Sequence, residues 1–392
     1  QAINVNLPPL LFVIFRDEFQ ISYEMIGRLI LINFGTQIIV DYLAARHVDR
    51  IGIRPAVVAA HVCSVVGLAG LGIFPGLLPD PYVGLVIAVV IFAIGGGLIE
   101  VLVSPIVESL PTEAKASAMS ILHSFYCWGQ MGVVLITTLL LQAFGSGIWH
   151  VLPLFWALIP FGNAILFLKV PLIPPLPEHE KIPLKQLVRS RGFGIAMILM
   201  LCAGASELTM AQWSSLFAEK GLGIPKIWGD LLGPCLFAVF MGIGRTLFGV
   251  QGHRIRLKNA LLVCSLLCVV CYLLTVFIPE PVIALLACAF CGFTVSLMWP
   301  GTFSLTAAVY PRGGTLLFGL LAMSGDLGGS FGPWLAGWIS DQAQKSAALV
   351  GWGSRMGLSA EQVGLKTGLL SGTVFPLLLA FGVISLIRAE EA

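Results

Sequence analysis

The sequence predicts an all-α polytopic membrane protein, with twelve transmembrane helices in two pseudo-symmetric six-helix halves. Three observations carry that expectation: scarce charge, twelve apolar stretches of helical length, and a weak repeat between the halves. Only 11% of the 392 residues are charged, against about 25% in an ordinary soluble domain. Apolar and aromatic residues make up 57%, 44 residues are Gly, and the mean hydropathy is +0.95. So few charges cannot coat soluble domains of this total size, which excludes a cytosolic enzyme, a disordered chain and a nucleic-acid binder. A net charge of +2 and a pI near 8.1 point to no polyanionic partner.

Taken in order, the apolar stretches are 1–15, 23–44, 55–77, 82–108, 117–144, 148–173, 193–217, 225–250, 259–278, 281–310, 314–340 and 363–387. Gly, Pro or charge interrupts the chain between them, and helices let each one satisfy its own backbone in lipid. No basic stretch precedes the first run, so no cleavable signal is expected. That run, Gln1 to Phe15, is shorter than the roughly 20 residues of a span, and no initiator Met precedes it. The chain is therefore expected to start inside the first transmembrane helix. All nine cysteines lie in apolar stretches, which argues against a secreted disulfide scaffold.

The one long polar connection, Pro174 to Arg191, carries Glu178, Glu180, Lys181, Lys185, Arg189 and Arg191. It divides the chain into an N-terminal half (1–173), a linker (174–192) and a C-terminal half (193–392). With the N-terminus inside, fourteen Lys and Arg fall on cytoplasmic connections and ends, and six fall outside. Arg28 and Arg245 lie within spans. The positive-inside rule thus places both termini and the linker in the cytoplasm of a cell with a multi-pass protein in its membrane. Gly97 and Pro105 in span 4 are spaced like Gly292 and Pro300 in span 10. Asp49-Arg50-Ile51-Gly52-Ile53-Arg54 after span 2 likewise has a partial echo, His253-Arg254-Ile255-Arg256, after span 8. Two related six-helix halves are a common transporter architecture, with the substrate held between them near the midplane.

Polar side chains inside spans are the candidate functional groups. Glu100 lies in span 4 among Gly95, Gly96, Gly97, Leu98, Val101 and Leu102. A charge at mid-bilayer costs roughly 2.5–3.5 kcal/mol on insertion scales, so Glu100 should face a cavity or a partner. A structural ion pair, or an acid kept protonated, is its bland alternative. His123, Tyr126 and Gln130 share one face of span 5, where neutral donors and acceptors beside an aromatic ring suit sugar hydroxyls. Such side chains also serve as packing glue between helices, and His123 could instead carry a proton. Asn33, Gln37 and Asp41 recur at intervals of four along span 2. The first two are expected to line the cavity, and Asp41, nearer the cytoplasmic end, to be structural.

Span 7 offers Glu207, Gln212 and Trp213. Glu207 is a second candidate for coupling or substrate binding, with pairing to Arg245 as the bland alternative. Asp326 of span 11 is a comparable candidate, and Trp299 before Pro300 could serve as a stacking plate or as a packed aromatic. Two soluble-enzyme patterns are discounted. Cys268, Cys271, Cys288 and Cys291 have a zinc-like spacing and lie at matching depths on the span 9–10 hairpin, yet Cys packs in such helices as a small apolar residue. Gly328-Gly329-Ser330-Phe331-Gly332 matches G-x-S-x-G, but within a helix its glycines serve close packing or bending.

Asp49-Arg50-Ile51-Gly52-Ile53-Arg54 resembles the cytoplasmic signature of the major facilitator superfamily, with Ala45 where a leading Gly is usual. Within it the chain is similar to the fucose–galactose–glucose:proton symporter family. That resemblance rests on Gly97-Leu98-Ile99-Glu100 with Pro105-Ile106-Val107, Phe125 to Gly129, Trp213-Ser214, Gly244-Arg245, and Trp299-Pro300 with Phe303-Ser304-Leu305. It implies the major facilitator fold and alternating access. It also implies a role for Glu100 as the span 4 acid, and a cytoplasmic latch at Asp49, Arg50 and Arg54. Simple topology-setting charge is the alternative for the latch. Arg245 is grouped with it but lies deeper, where its charge must find an acid or snorkel. The family's span 1 acid has no counterpart in Asn4-Val5-Asn6-Leu7-Pro8-Pro9.

The expectation is therefore a cation-coupled carrier of a small polar solute, most simply a monosaccharide, with H⁺ or Na⁺ as coupling ion. It is not expected to be an enzyme, to need a cofactor or metal, or to require more than a monomer in the bilayer. A facilitator-type exporter of drugs or amphipathic metabolites is the nearest rival. A membrane-embedded enzyme or a non-transporting sensor would be a rival of another class.

Overall fold

The computed structural model describes residues 1–108, 115–172, 187–251, 256–310 and 314–391. It is a bundle of helices in the predicted order. Spans 1 to 7 are Ala2–Phe19, Tyr23–Ile51, Ile53–Leu77, Pro81–Glu108, Lys115–Phe144, Val151–Lys169 and Arg191–Leu216. Span 8 comprises Lys226–Asp230 and Leu236–Gln251, and span 9 is Leu257–Phe277. Span 10 comprises Pro281–Val295 and Met298–Val309, span 11 is Gly314–Lys345, and span 12 comprises Ala360–Ser371 and Val374–Glu391. Among the described residues, ten segments are long and apolar enough to cross a membrane. Spans 1 and 11 fall outside that ten. Span 1 carries Arg16, Asp17 and Glu18 in its last turn, and span 11 is rich in Gly and polar residues. Most of the linker, 173–186, lies outside the described residues.

Side-chain chemistry sets several helix starts. Ser22 accepts the Met25 amide at 3.1 Å to open span 2, and Glu280 accepts that of Ile283 at 2.8 Å to open span 10, with Pro281 behind it. Ser359 and Gln362 form a reciprocal capping box at span 12. Between spans 2 and 3 the chain reverses at Gly52 alone, whose φ of +95° suits a residue without Cβ. Hence the segment after span 2 is mostly helical, with helix running on to Ile51 and resuming at Ile53.

Spans 10 and 12 were expected to be continuous, and the structure corrects both. Span 10 breaks at Ser296–Leu297 and span 12 at Gly372–Thr373. Pro300 and Pro376 stand four residues beyond Ser296 and Gly372, where a proline ring collides with the carbonyl of residue i−4. Span 8 similarly widens to a π-turn over Leu231–Cys235, around Pro234. A short helix, Ala347–Arg355, occupies part of what the sequence left as the connection between spans 11 and 12.

Packing repeats between the halves. Spans 1·5, 2·4, 3·4 and 3·6 pack in the first half, and 7·11, 8·10, 9·10 and 9·12 are the corresponding pairs in the second. Spans 2·11, 5·8 and 1·7 join the halves. Spans 7 and 11 approach so closely that a Cβ on Gly328 would run into the Leu201 carbonyl, and one on Gly204 into that of Gly325. Small residues of this kind let helices pack at short range in lipid, the role expected for the glycines around Ser330.

Candidate functional site

Polar groups of the first half converge on the junction of spans 1 to 5. Asn4 donates to Ser64 Oγ and to the Phe92 carbonyl, each at 3.0 Å. Asn6 donates to the Ala2 carbonyl at 2.9 Å and to the Tyr126 hydroxyl at 3.4 Å. Gln37 donates to Asn33 Oδ1 at 3.3 Å and lies against Gly96, beside the Asn4 amide. Asn33 and Asn4 also line a narrow, mostly apolar cleft with Phe12, Phe15, Phe92 and Gln212. Glu100 is half-buried and accepts a hydrogen bond from the Gln1 side chain. Gln130 is buried on the same span as Tyr126, and His123 is partly buried. The two asparagines of span 1 therefore stand in the midst of this belt, a role the sequence signalled only as a missing acid.

Two acids meet across the halves. Asp41 of span 2 and Asp326 of span 11, each 2% exposed, bring their carboxyl groups within hydrogen-bonding reach of one another, with Glu100 close to both. Trp299 lies with its ring edge on Gly325, next to this pair, and edge-to-face with Phe303 at 6.1 Å. Asp41, expected to be structural, stands beside Glu100 and Asp326.

Glu207 pairs with Arg245 at 3.2 Å, with both side chains largely buried. Arg245 also reaches the Cys127 thiol of span 5 and lies close to Tyr126 and His123. The bland alternative for Glu207 is thus the geometry observed, and Arg245 meets its charge inside the bundle.

A third cluster closes one end. Thr138 donates to Asp230 Oδ2 at 3.0 Å, Ser215 donates to Asp230 Oδ1, and Lys226 Nζ stands 3.2 Å from Oδ2. Lys226 also donates to the Leu10 carbonyl at 2.8 Å, and Gln212 to that of Val5 at 3.1 Å. Arg16 pairs with Glu361 at 2.8 Å, Lys220 with Asp17 at 3.1 Å, and the Glu24 amide donates to Asp341 at 2.7 Å. Tyr23 hydrogen-bonds Glu361, and its ring meets Trp213 edge-on at 6.1 Å. The Trp213 indole donates to the Pro333 carbonyl at 3.0 Å. Of the span 7 candidates, Trp213 packs at this end, while Gln212 bonds to span 1 and also lines the cleft beside Asn33. Asp230 and Lys226 are not among the candidates expected from the sequence. Their i, i+4 spacing at the start of an apolar run was the available signal.

The sequence model of the Major Facilitator Superfamily matches residues 2–333 and 234–360. The chain belongs to the major facilitator superfamily. No curated protein sequence matches it. Among solved structures of the superfamily fold, it resembles a bacterial homologue of the human lysosomal transporter Spinster, in an inward-facing and occupied conformation. That match has a TM-score of 0.74 at 14% identity, covering 99% of this chain and 94% of that one. It also resembles the Escherichia coli fucose:proton symporter FucP, with a TM-score of 0.62 at 17% identity, covering 97% and 95%. FucP in an outward conformation gives 0.63 at 15% identity, again covering 97% and 95%.

The segment that resembles the superfamily signature is partly described. Arg54 donates to the Phe167 carbonyl at 3.1 Å and to that of Val170 at 2.9 Å, meeting the carbonyl end of span 6 within its own half. The side chains of Asp49 and Arg50 lie outside the described residues. In the second half the thiols of Cys268 and Cys291 face each other at 3.7 Å, at the matched depths the hairpin predicts.

Proposed function

We propose that this superfamily transporter carries a small polar solute, a monosaccharide, by alternating access coupled to H⁺ or Na⁺. The observation that supports it most is the set of neutral side chains on spans 1, 2 and 5: Asn6 bonded to Tyr126, Gln37 bonded to Asn33, and buried Gln130 on the same span as Tyr126. Such a lining offers donors and acceptors to hydroxyl groups without demanding a charge on the solute. His123 and Trp299 flank it, and the Glu207–Arg245 pair borders it on the second half. The sealed end is the one the positive-inside rule puts outside, so the conformation is inward-facing with both termini in the cytoplasm. Asp49, Arg50 and Arg54 form the latch of the opposite conformation.

The decisive experiment is uptake into proteoliposomes from a panel of monosaccharides, with pH and Na⁺ gradients imposed separately. Accumulation driven by one gradient is expected, and Glu100→Gln should abolish it while solute exchange persists. A Glu100→Gln protein that still concentrates solute overturns the coupling role. Uptake confined to amphipathic compounds favours the exporter instead.

A further inference from the structure

The Asp41–Asp326 contact is unlike the other buried polar contacts. Among the described residues, neither Asp41 oxygen has a donor in reach, and the same holds for Asp326 Oδ2. One turn before Asp41, the fully buried Gln37 also leaves its Oε1 without a partner, since its amide NH₂ is turned to Asn33. Every orphaned atom at this spot is therefore an oxygen acceptor. Ionised carboxylates only accept, so two of them cannot hydrogen-bond to one another unless one carries a proton. We propose that Asp41 and Asp326 hold a single proton between them, and that this proton fastens span 2 of one half to span 11 of the other.

The surroundings restrict what else could serve. Span 4 brings Glu100 toward the pair and sets Gly97 so close that a Cβ there would lie 3.1 Å from Asp41 Oδ1. Span 7 meets this stretch of span 11 with Leu201, Gly204 and Ala205, and span 10 meets it with Trp299. Span 2 itself adds Gln37. Among the described residues, Glu100 is the titratable group that faces the pair. The proton is the donor the geometry lacks, exchanged with water as one O–H bond is made or broken.

When the proton leaves, two carboxylates face each other at low dielectric and favour whichever conformation parts spans 2 and 11. Acid should therefore hold the sealed end closed, and alkali should release it. The inference goes beyond the transport reading and does not depend on it, because it needs no solute and no sugar.

It is tested on the full chain in lipid nanodiscs without solute, by hydrogen exchange at the sealed-end peptides around Thr138, Asp230 and Glu361, corrected for intrinsic pH dependence. Wild-type opening should rise with pH by up to roughly tenfold per unit, the limit for one proton. Asp41→Asn supplies an amide donor to Asp326 in place of the proton, so it should stay protected across the range. Asp326→Asn should do the same from the other side, which guards against a variant that fails to fold. Infrared difference spectra should show a protonated-carboxyl band in the wild type that is lost in Asp41→Asn. PH-independent opening in the wild type, or an Asp41→Asn protein that keeps the wild-type pH response, overturns the proposal. Failure of sugar uptake would not touch it.

Discussion

Asp230 and Asp41 are both buried acids in a membrane bundle, and they are treated in opposite ways. Asp230 is fully buried yet is met by Thr138, Ser215 and Lys226. Asp41 is nearly as buried and faces another carboxyl, with no donor to either of its oxygens among the described residues. A buried charge with its donors in place holds a structure together, and removing it strands those donors. An acid without donors contributes little to stability, so its presence points to a role that needs its lone pairs. The sealed end is a finished structure, and the Asp41 site is a poised one.

Three substitutions separate these descriptions. Asp230→Ala should have the largest effect, about 3–5 kcal/mol, because it leaves the Lys226 ammonium without its counter-charge. The midpoint of thermal unfolding in detergent would record the loss. Thr138→Val, which removes one hydroxyl donor to a charged acceptor, should cost about 1.5–3 kcal/mol in the same assay. Asp41→Asn should change stability least, by under about 1 kcal/mol, since the amide keeps the contact with Asp326. If Asp41→Asn proved as damaging as Asp230→Ala, Asp41 would be structural after all and the contrast would collapse.

Most of the architecture was legible in the sequence because its signal is additive. Long apolar runs, sparse charge and a biased distribution of Lys and Arg each point to the same helices. The breaks in spans 10 and 12 were less legible, although Pro300 and Pro376 stood in view. A proline in a membrane helix can be absorbed or can break it, and the neighbouring helices decide which. Of the candidate site, the Asn33–Gln37 face could be read from spacing and Glu100 from a charge inside an apolar run, since one helix carries each of them. Asp41 with Asp326, and Asp230 with Thr138, are pairs between distant spans. A single sequence holds no record of such meetings. The same limit applied to Trp213, whose place in the seal depends on Tyr23 and Pro333.

The repeat described for the loops after spans 2 and 8 extends further than those loops. The register that lays Arg50 on Arg254 also lays Asp41 on Arg245. The contact between spans 2 and 11 is mirrored by that between spans 5 and 8, where Arg245 touches Cys127. On the proposed shared proton, one diagonal of the bundle is clasped by groups that titrate, whereas the other is anchored on a guanidinium that keeps its charge at any physiological pH. Change in acidity would tug on a single corner of an otherwise symmetric frame, giving the rocking motion a preferred direction that the fold alone does not supply.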